Sequence, residues 1–272
     1  MHPILFDLGT VDLPAFGPTH LFLPTYGVIF AAGALLAWSW FLKRARALDL
    51  PQEPVFNLAF YTLLAGLVGA KLTLIVVDSS YYLENPAEIL ATLRSAGVLM
   101  GGVLLGALTF VFYAWKHGLP VLRLGDAIVA PVAMAQGVGR LGCFAAGCCY
   151  GIGSDAWCAV RFVSDAAHAQ TGVPLNTPIL PVQLFEFAFD LALALLLTVL
   201  WRRRVGPAGT VGWIYLVAYG AGRGALELWR GDAVRGLWFG GAVSTSQIFS
   251  AASILIGLFF LVRDRVRIPR PA

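Results

Sequence analysis

Seven stretches of apolar residues, each about long enough to cross a hydrocarbon core of roughly 30 Å as a helix, constrain this chain more than any other feature. They run over 23–42, 55–77, 98–115, 126–144, 181–201, 210–228 and 244–262, each bounded by charge, proline or a polar cluster. With 58% hydrophobic and only 12% charged residues, the chain cannot cover a water-facing surface in the usual way. The same figures exclude a disordered chain, and the glycines and prolines show no fixed repeat. We therefore expect an all-α integral membrane protein of seven transmembrane helices, forming one polytopic domain over residues 1–272. Residues 1–24 carry no Lys or Arg, so no secretory signal is expected there.

The net charge of +4 could point to a nucleic-acid partner, but the basic residues follow the loops. Lys43, Arg44, Arg46, Lys116, Arg123, Arg202, Arg203, Arg204, Arg263, Arg265, Arg267 and Arg270 all fall on one set of alternate loops. The opposite set holds Arg94, Arg140, Arg161, Arg223, Arg230 and Arg235, while Lys71 lies inside the second stretch. Cytoplasmic loops retain the basic residues, which predicts an outside N-terminus and a cytoplasmic C-terminus. No nucleic-acid patch remains.

Topology does not explain the minority of outer charges, and a charge inside a span costs about 2.5–3.5 kcal/mol on insertion scales. Arg140 sits in the glycine-rich Gly137-Val138-Gly139-Arg140-Leu141-Gly142-Cys143-Phe144. Tyr219, Arg223 and Glu227 recur every four residues and so share one helix face. A snorkelling arginine and a structural Arg–Glu pair are the plainer readings of these features. Under the expected topology, Tyr26, Met100-Gly101-Gly102, Arg140, Gln183 with Glu186, and Tyr219 to Glu227 all lie toward the outer face. Two guanidinium forks near headgroup depth suit an anionic phosphate, because each fork donates bidentately and stays charged.

Cys143, Cys148, Cys149 and Cys158 are spaced C-x4-C-C-x8-C, unlike the paired C-x2-4-C of common zinc sites, and the four histidines show no ligand spacing. No metal is expected. An oxidising outer compartment favours one disulfide, between Cys158 and either Cys148 or Cys149. Asp190 and Lys71 lie deeper in their spans and are read as pairing with polar partners.

The segment from Gly139 to Gly151, Gly-Arg-Leu-Gly-Cys-Phe-Ala-Ala-Gly-Cys-Cys-Tyr-Gly, resembles the signature of prolipoprotein diacylglyceryl transferases in a cysteine-containing variant. Tyr219 to Glu227 is similar to that family's Tyr/Arg/Glu helix, and Leu180-Pro181-Val182-Gln183-Leu184-Phe185-Glu186 to its His-Pro-x-Gln-Leu-Tyr-Glu segment. His2 to Phe6 and Pro24 to Gly27 also fit. The resemblance implies transfer of the diacylglyceryl group of phosphatidylglycerol to the lipobox cysteine of a preprolipoprotein, with release of glycerol phosphate, in the bacterial cytoplasmic (inner) membrane toward its outer leaflet. It implies no cofactor. By motif, Arg140 would hold the lipid phosphate and Arg223 the departing phosphate. Glu227 and Tyr219 would orient Arg223, Tyr26 and Gly151 would shape the pocket, and Gln183, Glu186, Gly101 and Gly102 would contribute to substrate binding.

Departures are equally specific. Met100 stands where the family often has His before Gly-Gly, Cys143 and Cys148 replace its Asn and Glu, and Leu180 replaces the His of the fifth-span motif. Phosphate-binding parts survive better than acceptor-activating parts. This leaves open a paralogue that uses the same lipid with another acceptor, or a non-catalytic lipid-binding membrane protein.

Overall fold

The computed structural model describes residues 3–13, 17–86, 88–92, 97–232 and 236–266; His2, Arg94, Arg235, Arg267 and Arg270 lie outside them. Strands β1 (Ile4–Leu13) and β2 (Gly17–Pro24) pair antiparallel, ahead of helix α1 (Thr25–Arg46). There follow α2 (Gln52–Val77), the short α3 (Ser79–Glu84) and α4 (Glu88–Ala91), α5 (Leu99–Lys116) and α6 (Val121–Ala146). Strand β3 (Val160–Arg161), helix α7 (Asp165–Thr171) and strand β4 (Pro178–Ile179) precede α8 (Val182–Arg202) and α9 (Thr210–Leu226). Strands β5 (Leu237–Trp238) and β6 (Val243–Ser244) lead into α10 (Thr245–Val266).

Each of the seven apolar stretches contains a long helix, but among the described residues six rather than seven are long and apolar enough to cross a membrane. The exception is α9, whose 17 residues reach only about 26 Å at 1.5 Å per residue before a 3-10 turn over Glu227–Trp229 continues it. The small strands are also additions to the all-α expectation. The N-terminal hairpin is bulged at Gly9, whose φ of +73° and N–H bond to Asp7 Oδ1 (2.9 Å) suit a glycine. Its apolar Leu5, Phe6, Leu8 and Phe22 remain exposed.

The chain divides into two compact units, residues 41–124 and residues 1–40 with 125–272. In the first, α2 and α5 approach through glycines. A Cβ on Gly102 would stand 2.7 Å from Gly66 O, and one on Gly69 2.7 Å from Leu105 Cβ. Small residues at such seams let helix backbones meet where no hydrophobic force separates helix from lipid. Lys71, inside α2, donates its ammonium to the Thr92 carbonyl.

In the second unit, α6 packs on α1, where Gly33 faces Val138 and Gly142 faces Tyr26. It packs on α8 where Gly137 faces Asp190 and Phe187. Val129, Ala130 and Ala133 of α6, Leu193, Ala194 and Leu197 of α8, and Val211 of α9 form its apolar core. Helix α9 meets α10 through Gly220 against Ser250, and Trp213 stacks on Phe260 at 4.3 Å. Asp126 fixes the start of α9: its carboxylate accepts from Gly209 N (2.7 Å) and Gly212 N (2.8 Å), satisfying donors that a helix cannot pair internally. A satellite core of Phe162, Ala167, Val173 and Ile179 holds the segment between α6 and α8 together.

Candidate functional site

Helix α6 ends where Gly147 turns left-handed at φ +81°, and its N–H bonds back to Cys143 O (2.9 Å). After a second left-handed residue, Cys149, the chain reaches Gly151, whose N–H donates to Leu180 O (3.1 Å) just before α8. Ile152 N meets Trp229 O (2.9 Å), and Gly231 N meets Tyr150 O (2.9 Å), just after α9. A side chain at Gly151 would run into the Leu180 carbonyl and Val182, and one at Gly231 would stand 2.5 Å from Gly151 O. These backbone contacts bring the ends of α6 and α9 and the start of α8 to one place.

The charged residues assembled there form an alternating series. Arg140 Nε lies 2.9 Å from Glu186 Oε2, and Glu186 Oε1 lies 3.2 Å from Arg223 Nη1. Arg223 Nη2 lies 2.7 Å from Glu227 Oε2, which is 3.5 Å from Arg230 Nη1. Arg230 closes the series with a bidentate pair to Asp232, Nε to Oδ1 at 2.9 Å and Nη2 to Oδ2 at 2.6 Å. Glu186 and Glu227 are each only 2% exposed, so both carboxylates require these partners. Burial alone would lower the pKa of Arg230, but its bond to Asp232 and the nearby Cys149, Asp232 and Glu227 charges hold it above the usual value. Arg140 differs from the other two arginines: among the described residues only its Nε is engaged in an ion pair.

Other expected site residues take varied places. Tyr26 packs beside Gly142, stacks on Phe30 (6.0 Å) and keeps 36% exposure. Tyr219 stacks on Tyr215 (5.5 Å), whose hydroxyl donates to Gln136 Oε1 (2.9 Å). Among the described residues Tyr219 makes no hydrogen bond to Arg223, so Glu227 and Glu186 orient that guanidinium. Gln183 is fully buried and donates from Nε2 to Cys148 O (2.8 Å), which fixes the loop after α6. Gly101 and Gly102 lie in the α2–α5 seam, where both are buried against α2. Asp190 is also buried, and among the described residues its Oδ1 has no hydrogen-bond partner.

The expected disulfide is absent, because all four cysteines are free. The Sγ atoms of Cys143, Cys148 and Cys149 lie within 4.8 Å of one another, whereas Cys158 is not in this group. Helix termination accounts for the grouping: Gly147 and then Cys149, at φ +56°, fold the chain back over the last turn of α6. The Cys148 thiol donates to Cys143 O (3.7 Å), and Cys149 is the thiol pushed downward, by the neighbouring Cys143 and Cys148 thiols and by Arg230 and Arg140, which favour its anion. The neighbouring Cys143 and Cys149, with burial, push Cys148 upward.

Sequence reasoning gave no role to Arg230 or Asp232. A signal was present: Arg223, Glu227 and Arg230 are spaced four and three apart, and Arg230-Gly231-Asp232 places an acid two residues on.

Comparison with known proteins identifies the family. The family described as prolipoprotein diacylglyceryl transferase matches residues 15–263. A phosphatidylglycerol–prolipoprotein diacylglyceryl transferase of Clostridium tetani is 35% identical over 268 residues, covering 98% of this chain and 99% of the relative. One from Clostridium perfringens is 31% identical over 86% of this chain and 87% of the relative. One from Pseudoalteromonas translucida is 31% identical over 96% and 91%. With a match across nearly its whole length, this multi-pass membrane chain belongs to the prolipoprotein diacylglyceryl transferase family.

Proposed function

We propose that the chain transfers the diacylglyceryl group of phosphatidylglycerol to the lipobox cysteine of a preprolipoprotein and releases glycerol phosphate. The observation that carries the residue assignment is the half-engaged fork of Arg140, whose Nε is held by Glu186. A phosphate diester can take the remaining donors bidentately. In the reaction the acceptor thiol gives its proton to water, its sulfur forms a bond to the glycerol carbon, the carbon–oxygen bond to phosphate breaks, and the electron pair leaves on the phosphate oxygen. The headgroup phosphate thereby gains a charge, and Arg223 is the buried donor that meets it. Preorganised donors of this kind are worth about 10²–10³ in rate for each donor.

Glu186 and Glu227 hold Arg223 from two sides and leave it no freedom to follow the charge. Tyr26, exposed beside the end of α6, borders the lipid entry, and Gly151 keeps the backbone near enough for the charged series to close. Gln183 acts through the Cys148 loop. In this reading α9 also crosses the membrane, which brings the spans to seven, its short helix completed by the turn over Glu227–Trp229. The N-terminus is outside, and the site faces the outer leaflet of the bacterial cytoplasmic membrane.

Purified protein incubated with labelled phosphatidylglycerol and a lipobox peptide tests the proposal. A thioether-linked diacylglyceryl peptide is expected. Headgroup release without peptide modification would instead indicate a paralogue with another acceptor, and binding without turnover a lipid-binding protein.

A further inference from the structure

The three clustered thiols stand beside the charged series and take no part in the reaction as derived so far. Their sulfurs lie within 4.8 Å of one another. A tetrahedral metal bound to sulfur at about 2.3 Å separates its ligands by about 3.8 Å, so closing around an ion requires movements of no more than about 1 Å. The positions of the three are set by different parts of the backbone. Cys143 is buried in the last turn of α6. Cys148 is fixed through its carbonyl by Gln183 (2.8 Å), and Cys149 is turned by its left-handed backbone at φ +56°. All three sit at a helix C-terminus, where the helix dipole disfavours bare thiolates and favours a cation. A divalent ion with three thiolates carries one net negative charge, and the bond from Gly231 N to Tyr150 O (2.9 Å) brings the segment that carries Arg230 beside the thiol loop.

We propose that Cys143, Cys148 and Cys149 form a three-thiolate site for a thiophilic divalent cation of the zinc class, with its fourth position open to the acceptor cysteine. The all-sulfur donor set selects this class over magnesium or calcium, and three protein ligands with an open place distinguish a reactive site from a closed structural one. Cys148 and Cys149 are partly exposed, which leaves a way in for a fourth ligand. The second half of the inference rests on the proposed transfer. That transfer needs the acceptor as thiolate, and Met100 supplies no base. On binding, the acceptor thiol releases its proton to water and its sulfur joins the metal. That sulfur then gives its electron pair to the glycerol carbon as the carbon–oxygen bond breaks. No oxidant or reductant is needed.

The test uses the full-length chain in detergent, reduced and then freed of reductant and metal. Titration with cadmium should saturate at one ion per chain, with an ultraviolet thiolate-to-metal band, and should protect Cys148 and Cys149 from a thiol reagent that still reaches Cys158. Cys158→Ser should keep the site, whereas Cys143→Ser, Cys148→Ser and Cys149→Ser should each weaken it more than about 100-fold, beyond the loss expected from a mere supporting group. The cobalt-loaded protein should change its visible spectrum with a lipobox peptide and not with its Cys→Ser counterpart. No stoichiometric binding in the wild-type chain, or binding that survives loss of all three cysteines, overturns the site. A cobalt spectrum indifferent to the peptide, or transfer that proceeds unchanged under chelation, overturns the role of the fourth position while the proposed transferase stands. Metal binding and peptide capture without any thioether product would support the site and overturn the transferase reading.

Discussion

Glu186 holds Arg140 through Nε alone, at 2.9 Å, while its other oxygen holds Arg223 at 3.2 Å. One carboxylate thus sets the attitude of both guanidinium groups, and the two cannot be repositioned independently. Glu186→Gln keeps the shape and removes the charge. Because removing one partner of a buried pair costs about 3–5 kcal/mol, we expect a clear fall in thermal stability together with loss of transfer. Wild-type stability in the Gln variant would show that the pairs carry little energy.

Arg140→Lys separates charge from geometry. Lysine keeps one positive charge but cannot give Nε to Glu186 and a fork to phosphate at once. Transfer should drop by about 100-fold with the protein still folded, and Arg140→Ala should be no better. The check is kcat/KM for phosphatidylglycerol beside a thermal melt; equal activity in the Lys variant would make Arg140 a point charge only.

Gly151→Ala should disturb the junction of three segments, because its new Cβ would meet Leu180 O and Val182. Overpacking of this kind costs about 1–3 kcal/mol. Gly153→Ala is the control, since the nearest atom to its Cβ is Pro178 O at 4.0 Å. Melting temperatures of the two variants should differ, with only the first lowered.

Asp126→Ala removes the acceptor of two N–H groups at the start of α9 and should cost about 1–2 kcal/mol, as lost helix caps do. Asp126→Asn keeps one accepting oxygen and should lose less. Because the carboxylate lies at the opposite end of α9 from Arg223, residual folded Asn variant should transfer at close to the normal rate.

Much of this was legible from residue order. Hydropathy located the seven long helices, six of which, among the described residues, have the length and apolar run that bilayer thickness imposes. The four-residue spacing of Arg223 and Glu227 correctly put them in contact at 2.7 Å. What escaped depends on tertiary return of the chain. Arg230 and Asp232 join the series only because backbone pairing at Gly151 and Gly231 brings the segment after α9 beside the end of α6. The cysteine spacing suggested a bridge to Cys158, but spacing does not reveal that a left-handed turn at Cys149 faces it toward Cys143. The N-terminal hairpin was missed because its run from Ile4 to Leu13 alternates poorly and carries a bulge at Gly9.

The alternating series contains three guanidinium groups and three carboxylates, Arg140, Glu186, Arg223, Glu227, Arg230 and Asp232. Seen from several ångströms away, such a string casts almost no net field, so it cannot gather anionic lipids out of the surrounding bilayer by attraction at a distance. Discrimination must happen on contact, when a headgroup takes up the donors that Glu186 leaves on Arg140. Capture of phosphatidylglycerol should then follow its local abundance in the leaflet and change little as salt is added.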